Sequence, residues 1–406
     1  MDGTPAGRKD TMEQLQGTLA RYAWGTHDAI PSLLGFEADG EPVAEFWLGA
    51  HPLSPSRVGG VALDAALEAD PAQLGERSGD EFGSLLPFLM KVLSARHALS
   101  LQAHPSREQA VEGFAEEENR GIARDAAERV YRDDWPKPEI LVALDEFHTL
   151  YGFRSPRITW QLFNQLGVND DILKLLAPLN ARGGEAALQE VFLDILAIEG
   201  DRLALVHDVL RAARAHEHDP GDAGCLARTA LEIDATFPAD PGIIAAMLMN
   251  HVILRPGEAV YVPAGCMHAH LRGTGIEVMA SSDNVLRGGL TRKHIAVDEL
   301  VRVVDFGWTD PEIITGTEVS AGAFDYPTGC PEFDLWRLEL TPGVPVAVPR
   351  DGFARIALVT EGAASFRAGG DTLQLDRGQA LFLTAHDVGV EARGAGQVFL
   401  AGPGLA

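Results

Sequence analysis

The period of the hydrophobic pattern changes twice along the chain, and this change limits the possible folds more than any other feature. From about residue 18 to 153 short apolar runs end at Gly or Pro turns, which predicts strands mixed with some helix. Strand-like alternation returns in residues 252–279 and again from residue 336 to the end. Between residues 154 and 250 apolar residues recur at i, i+3, i+4 and i+7, which predicts helices. We therefore expect a mainly β protein with an inserted helical block.

A short internal repeat indicates that the β structure contains two related units. Residues 254–264 resemble residues 375–385 at a constant offset of 121, and each copy is a turn glycine followed by an apolar strand. Two unrelated hairpins could share the same pattern. His268 after the first copy corresponds to Gly389 after the second, so only the first unit would keep this potential metal ligand.

The charge of the chain excludes two kinds of partner. Its 33 basic and 59 acidic residues give a formal net charge of -26, which repels nucleic acids and anionic membrane surfaces. We expect neither as a partner. An anionic small substrate would feel the same repulsion, so its binding site needs a local cluster of Arg and Lys.

Cysteine usage indicates a reducing compartment. The chain has three cysteines without CxxC spacing, which argues against a disulfide framework and against a zinc finger: Cys225, Cys266 and Cys330. The first residues, Met1–Thr4, lack the basic and then apolar pattern of a signal peptide. We therefore expect a cytoplasmic protein.

One short strand carries polar side chains on a single face. In residues 99–104 a period of two puts Ser100, Gln102 and His104 on one side and apolar residues on the other. An amide oxygen and an imidazole nitrogen two residues apart can bind one metal ion. The alternative is a polar strand face that points to water.

A candidate anionic ligand follows a proline. Pro138 restricts Lys137 to an extended conformation, which places Lys137 and Glu139 on the same side of the chain. The Glu139 carboxylate can then serve as a metal ligand. Alternatively, it is a solvated surface group ahead of a helix-like run over residues 141–150.

Two histidines follow a tight turn later in the chain. The turn at residues 263–265 precedes His268 and His270, whose imidazoles would face one way along a strand. Either histidine could complete a set of Gln, His, Glu and His, which suits zinc or another divalent ion. We interpret the neighbouring Cys266 as a packed residue.

Residues 277–293 supply the positive cluster that an anionic substrate needs. Within 17 positions they contain the cations Arg287, Arg292 and Lys293 together with the carboxylates Glu277 and Asp283. Arginine offers a planar fork for phosphate or sugar oxygens, and lysine offers a compact charge. The alternative is a charged loop with ordinary surface ion pairs.

Taken in order, these segments resemble the type I mannose-6-phosphate isomerase (phosphomannose isomerase) family of the cupin superfamily. The resemblance extends over roughly residues 18–300. Its motifs are Tyr22–Gly25, Ala44–Pro52, Leu86–Leu93, Leu99–Pro105, Lys137–Glu139 and Gly265–Lys293.

The resemblance implies a mainly β fold of two cupin-like jelly-roll barrels plus a helical domain. Residues 1–153 and 251–319 would form the two parts of the catalytic barrel, and residues 154–250 the inserted helical domain. Residues 320–406 would form a C-terminal barrel without a metal site. We expect a monomer whose partner is a small-molecule sugar phosphate.

The resemblance also implies the site residues. The metal ligands would be Gln102, His104, Glu139 and His268, which hold one divalent ion, Zn²⁺. Arg287 matches the active-site arginine of the family. Ser100, Lys137 and Lys293 match positions associated with substrate or phosphate.

The implied activity is the interconversion of mannose 6-phosphate and fructose 6-phosphate by proton transfer through a cis-enediol. Arg287 would stabilise the enediolate, Glu277 and Asp283 are candidates for the base, and Lys137 would assist ring opening. Two other functions are compatible with such a site: an iron-dependent cupin oxygenase and a metal-dependent cupin that binds a sugar phosphate without turnover.

The chain departs from the family pattern at three places. Trp135-Pro136 replaces the usual Asn-His before Lys-Pro-Glu, His270 replaces the usual Tyr, and Arg292 replaces the usual Pro. A ring-opening role of the family histidine therefore cannot be transferred to position 136.

Overall fold

The computed structural model describes residues 12–405 as two antiparallel sheets and a set of helices. Residues 1–11, which include Met1–Thr4 and the start of the predicted first segment, and residue 406 lie outside the described part. The strands, numbered in chain order, are β1 (Glu13–Gln16), β2 (Thr18–Ala20), β3 (Glu45–Gly49), β4 (Arg57–Val58), β5 (Val61–Ala62), β6 (Phe88–Ala95), β7 (Leu101–Ala103), β8 (Glu139–Ala143), β9 (Phe147–Phe153), β10 (Met249–Leu254), β11 (Glu258–Val262), β12 (His268–Ala280), β13 (Leu286–Gly289), β14 (Ile314–Thr315), β15 (Thr317–Ser320), β16 (Ala323–Tyr326), β17 (Asp334–Leu340), β18 (Val346–Ala347), β19 (Arg355–Ala368), β20 (Asp371–Asp376), β21 (Ala380–Leu383) and β22 (Glu391–Gly402).

The helices connect these strands at several points. They are α1 (Ala29–Leu34), α2 (Leu63–Ala69), α3 (Glu76–Phe82), α4 (Arg107–Asn119), α5 (Pro156–Gln165), α6 (Asp170–Leu175), α7 (Ala177–Ala181), α8 (Gly184–Leu196), α9 (Ala204–His216), α10 (Gly221–Thr236), α11 (Gly242–Ala246) and α12 (Val297–Val303). Two short 3-10 helices span Pro71–Leu74 and Gly200–Leu203. Within residues 12–405, none of the helices is long and apolar enough to cross a membrane.

Each sheet contains eleven strands. The first, termed the site sheet, has the order β14-β11-β8-β12-β6-β3-β2, with β7 and β9 paired to β12, β13 to β7 and β10 to β9. The second, termed the C-terminal sheet, has the order β15-β16-β17-β22-β19-β21-β1-β4-β5, with β18 on β22 and β20 on β19. Among the described residues neither set of pairings forms a closed ring. The fold is mainly β sheet with helices.

Strand β12 organises the site sheet. Its second half pairs with β6 and β8, and its first half pairs with β7 and β9. Gly273 lies at the change of partners with a φ of 120°, and a Cβ there would lie 2.7 Å from Phe147 Cα. Only glycine fits this position without strain. One strand thereby carries His268, His270 and Glu277 into the same region of the fold.

Alternation along β6, β8 and β12 separates an apolar core from a polar region. One face of these strands contributes residues such as Val92 and Ile140 to a buried cluster shared with the C-terminal sheet. The opposite face is apolar toward one end of the sheet. It carries the buried polar groups Lys91, Glu139 and Glu277 toward the other end. The candidate site therefore begins where the apolar face ends.

Seven α-helices, α5 to α11, lie within the block where the hydrophobic period predicts helices. In α8 the side chains of Leu188, Val191 and Ile195 are all buried, as their spacing requires. They belong to an apolar cluster that also includes residues of β7, β9 and α12. The helices therefore pack directly behind strands that carry candidate site residues.

Both copies of the internal repeat have the same local structure. Gly257 has a φ of 84° and Gly378 a φ of 85°, and each precedes an apolar strand, β11 or β21. This left-handed conformation is strained for residues with a Cβ. The turn explains why glycine occurs at both positions.

Two features differ from the sequence prediction. The helix-like run over residues 141–150 forms β8 and β9, because buried residues alternate between the two sheet faces there. In addition, Leu15 of β1 pairs with Ala380 of β21, so the described start of the chain lies in the C-terminal sheet. The sequence prediction assigned residues 1–153 to the catalytic barrel and did not anticipate that β1 pairs with a strand of the C-terminal sheet.

Hydrogen bonds join the helical block to the site sheet through a pair of histidines. His251 Nε2 of β10 lies 2.9 Å from His148 Nδ1 of β9, and His251 Nδ1 lies 3.0 Å from Thr229 Oγ1 of α10. Arg272 of β12 contacts His148 Nε2 at 2.9 Å. Burial, reinforced by His148 and Arg272, lowers the pKa of His251 to about 4.

We expect the free energy of unfolding to decrease as the pH falls from about 6.5 to about 4, in part because of His251. The unfolded chain protonates this residue near pH 6.5, whereas the folded chain does so only near pH 4, so protonation favours unfolding within that window. In His251→Gln, about 1–3 kcal/mol of this pH dependence should disappear. Urea denaturation at intervals between pH 7 and pH 4 measures it.

The matched control is His218→Gln, because the His218 side chain is 93% exposed. This variant should keep the pH dependence of the native chain. Equal pH dependence in the native chain and in His251→Gln would show the prediction to be wrong.

Candidate active site

Three of the predicted metal ligands meet at one point of the site sheet. His104 follows β7, Glu139 begins β8 and His268 begins β12. Glu139 Oε2 lies 3.4 Å from His104 Nε2, and Glu139 Oε1 lies 2.8 Å from His268 Nε2. The exposed fractions of His104, Glu139 and His268 are 0%, 2% and 0%. We term these three residues the His–Glu–His cluster.

The hydrogen bonds of the two imidazoles leave one nitrogen of each ring directed at Glu139. His104 Nδ1 lies 2.8 Å from the carbonyl oxygen of Asn284, and His268 Nδ1 lies 3.2 Å from that of Cys266. A carbonyl oxygen only accepts, so each Nδ1 donates a hydrogen, and in the neutral imidazole Nε2 then presents a lone pair. Neither Nε2, nor Glu139 Oε1, has a hydrogen-bond partner.

Three buried electron-pair donors that face one another repel each other unless a cation lies between them. The donor set of imidazole nitrogens and carboxylate oxygen is the one that zinc and similar divalent ions prefer. The described residues of this cluster therefore fit a divalent ion.

The electrostatics of the cluster favour a neutral His104 and an ionised Glu139, the forms in which these two groups bind a metal ion. Burial, with a contribution from Lys137, lowers the pKa of His104 to about 4, so its imidazole is neutral near pH 7. Burial alone would raise the pKa of Glu139, but His268 and Lys137 hold it well below its ordinary value. Lys137 Nζ lies 3.7 Å from Glu139 Oε2.

Strand register brings Gln102 and Arg287 to the same place. Gln102 of β7 is paired with His268 of β12 on one side and with Arg287 of β13 on the other. Directly paired residues in an antiparallel sheet point to the same face. The Gln102 amide therefore lies on the same face as the His268 imidazole, next to the arginine.

Two adjoining cavities lie in front of this face. A cavity of about 780 Å³ is lined by the cations Arg132, Lys137 and Arg287 and by Asp283. Aromatic residues of β3 and of the segment between β2 and β3 also line it. A cavity of about 660 Å³ is lined by Ser100 and Gln102. Both cavities share Trp24, Arg287, Arg292 and Lys293.

The cations around the cavities are close enough to influence one another. Arg287, with a contribution from burial, lowers the pKa of Lys293. Burial, with a contribution from Arg132, lowers the pKa of Arg287. Mutual repulsion of this kind is relieved when an anion binds among the groups. A chain with a net charge of -26 thus has a locally positive site.

The two predicted base candidates have different surroundings. Glu277 is 4% exposed, and its Oε2 lies 3.1 Å from Lys91 Nζ. Burial alone would raise the pKa of Glu277, but Lys91 and His270 lower it to about 2. Asp283 lines the larger cavity, and its Oδ1 lies 3.5 Å from His51 Nε2. Of the two carboxylates, Asp283 is the one that faces the cavity.

Several site residues were missed by sequence reasoning. Lys91 is 6% exposed and contacts Glu45 at 3.4 Å as well as Glu277. A lysine at the centre of the apolar run of β6 was a signal that could have identified it. Arg132 and His51 also line the larger cavity. No local pattern distinguishes Arg132 from a surface residue, and His51 lies in the motif Ala44–Pro52 but was given no role.

The structure shows the surroundings of Trp135, Pro136 and Arg292, which depart from the family pattern. Trp135 packs against Phe82 with ring centroids 5.8 Å apart, and the Arg107 guanidinium lies 4.3 Å from the centre of the Trp135 ring. Pro136 is buried and has no titratable group. Arg292 lines both cavities.

Comparison with known proteins identifies the family. The family model described as "Phosphomannose isomerase type I, catalytic domain" matches residues 12–156. The mannose-6-phosphate isomerase of Escherichia coli (strain K12) is 35% identical over 397 residues, which cover 95% of this chain and 98% of that protein. The enzyme of that name from Salmonella typhimurium is 35% identical over 405 residues, with the same two shares covered.

Solved structures of one of these relatives have the same fold as this chain. Mannose 6-phosphate isomerase from Salmonella typhimurium bound to substrate (f6p) and a zinc atom matches with a TM-score of 0.88 at 32% identity, covering 97% of this chain and 100% of that chain. The apo form of that enzyme gives the same values. The chain therefore belongs to the type I mannose-6-phosphate isomerase family, as its motifs predicted.

We expect Lys91→Met to reduce the free energy of unfolding by about 3–5 kcal/mol, because Glu45 and Glu277 would remain buried without their cation. Guanidinium denaturation measures the difference. Lys174→Met is the control: its pair with Asp171 is exposed, so the loss should stay below about 1 kcal/mol. Equal losses in the two variants would contradict a buried ion-pair role for Lys91.

Proposed function

We propose that the protein is a mannose-6-phosphate isomerase, which interconverts mannose 6-phosphate and fructose 6-phosphate through a cis-enediol. The convergence of buried, unpartnered donor atoms beside a cavity lined by Arg and Lys carries this proposal. The substrate and zinc bound to the Salmonella relative support the same ligands here.

The proposed cofactor is one divalent ion, zinc. Gln102, His104, Glu139 and His268 would hold it, because three of them direct unpartnered donors at one point and the fourth lies beside them in register. When bound, zinc withdraws electron density from carbonyl and hydroxyl oxygens of the sugar.

The cations on the cavity wall are proposed to bind the sugar phosphate. Arg287 and Lys293 line both cavities, and Ser100 lines the smaller one. Arg132, which the sequence did not single out, adds a further guanidinium. Arg287 is proposed to lie nearest the reacting carbons, since it is next to Gln102 in the sheet, and to stabilise the enediolate there.

Isomerisation requires a base that removes a proton from one carbon and returns it to the next. We propose Asp283 for this role ahead of Glu277. Asp283 lines the cavity, and although burial opposes it, His51 and Lys137 keep the pKa of Asp283 below its ordinary value. Glu277 instead forms a buried ion pair with Lys91. Lys137, which also lines the cavity, is proposed to assist ring opening.

Two other functions considered from the sequence have less support. A cupin that only binds sugar phosphates needs no base, whereas an ionised carboxylate faces this cavity. An iron oxygenase needs open coordination positions and no cation cluster for phosphate. The family relatives are named isomerases.

We also propose the finer organisation of the chain. The strands of residues 12–153 and 251–319 that belong to the site sheet would form a catalytic jelly-roll barrel, residues 154–250 a helical domain and residues 320–405 a C-terminal jelly-roll barrel. The three free cysteines support a cytoplasmic location, and the proposed site needs residues of only one chain, which is compatible with a monomer.

A coupled assay of mannose 6-phosphate conversion, with and without a chelator, tests the function. We expect turnover in the purified protein, loss of turnover after chelation, and recovery when zinc is added back. Binding of mannose 6-phosphate without any turnover in the zinc-loaded protein would support the binding-only alternative.

Substitutions should separate metal binding from catalysis. We expect Arg287→Ala to lower kcat by about 10²–10³ while the zinc content stays unchanged, because the guanidinium acts on substrate charge. His268→Ala should lose zinc and turnover together, because it removes a proposed ligand. Steady-state kinetics and elemental analysis of the same samples measure both properties.

Arg367→Ala is the control for these variants, since Arg367 is an exposed arginine of the C-terminal sheet. It should retain both kcat and zinc. Near-normal kcat in Arg287→Ala, or loss of its zinc, would rule out the role proposed for Arg287.

A further inference from the structure

A second set of donor atoms lies directly behind the His–Glu–His cluster. Glu139, His270 and Glu277 each offer one donor atom, and these atoms all lie within 4.8 Å of one another. His270 Nε2 is 3.5 Å from Glu277 Oε1 and 4.0 Å from Glu139 Oε1. The exposed fractions of His270 and Glu277 are 1% and 4%. The two sets of donors share Glu139.

As in the first cluster, Nδ1 of the His270 ring lies beside a hydrogen-bond acceptor. The Thr149 hydroxyl lies 3.2 Å from the carbonyl oxygen of Ala269, to which it donates, and 3.1 Å from His270 Nδ1. The Thr149 oxygen therefore accepts the hydrogen of Nδ1, and in the neutral imidazole the lone pair of His270 Nε2 points at the two carboxylates. His270 Nε2 has no hydrogen-bond partner.

The spacing of these donors suits a metal ion. Donors of a tetrahedral site with bond lengths near those of zinc lie about 3.3–3.5 Å apart. The distances of 3.5 Å and 4.0 Å from His270 Nε2 are close to this value.

We propose that Glu139, His270 and Glu277 bind a second divalent ion of the zinc type, with Glu139 bridging the two ions. His270 supplies the nitrogen donor of this set, and the two carboxylates supply oxygen. The proposal concerns metal binding alone and does not rest on the isomerase activity.

The second site should be the weaker one. Lys91 Nζ lies 3.1 Å from Glu277 Oε2 and competes with an ion for that carboxylate. An ion held by His104 and His268 also repels a second ion through the shared Glu139. The buried carboxylates of Glu45, Glu139 and Glu277 counter these positive charges.

Metal titration of the full chain tests the proposal. Chelator-stripped protein is titrated with Zn²⁺, and bound metal per chain is measured by equilibrium dialysis and elemental analysis. We expect the native chain to bind two equivalents, the second at least about tenfold more weakly. His270→Tyr should bind one equivalent with the affinity of the tighter site.

Two further variants make the result specific. Glu277→Gln should also lose the weaker equivalent, whereas His207→Tyr, at an exposed position of α9, should keep both. His268→Ala should weaken the tighter equivalent, so a failure of the first site is distinguishable from a failure of the second. Saturation of the native chain at one equivalent, or two equivalents in His270→Tyr, would overturn the proposal.

Discussion

The burial of one carboxylate, Glu139, is the constraint on which the rest of the site depends. An ionised carboxylate that loses its water costs several kcal/mol unless opposite charge and hydrogen bonds replace that water. Glu139 has an exposed fraction of 2%. The elements that surround it each supply a compensating group: β7 leads into His104, β12 supplies His268, and the loop before β8 supplies Lys137. The sheet therefore has to assemble around this charge in one register only.

Local pattern made Gln102, His104, Glu139 and His268 possible ligands, and the resemblance to a family selected them as a set. The period of two placed Ser100, Gln102 and His104 on one face; of these, Gln102 lies in strand β7, and the other two directly flank that strand. The extended conformation imposed by Pro138 agrees with the start of β8 at Glu139. What no local pattern gives is pairing between distant strands, such as that between Gln102 and both His268 and Arg287. The structure shows this pairing, whereas the resemblance to a family implied only that these residues share a site.

Groups whose role depends on long-range contacts were the ones that sequence reasoning missed. Lys91 lies opposite Glu277 across β6 and β12, and its position in an apolar run is explained only by that pairing. Arg132 acquires significance because Arg287 and Lys293 face the same space, and residues 132 and 287 are far apart in the sequence. The helical block was easier to predict, because a period of 3.6 is a local property of the chain.

The position of β1 has a consequence for the order in which the protein can fold. One edge of β1 pairs with β4, which follows within about 40 residues, but its other edge pairs with β21, more than 360 residues later. During synthesis that second edge has no partner until nearly the whole chain has left the ribosome. Contacts between such distant residues slow folding, and an unpaired strand edge is a template for association with other chains. The half-made protein therefore exposes a strand edge that the finished protein covers, and the strand that covers it, β21, is the last but one to be synthesised.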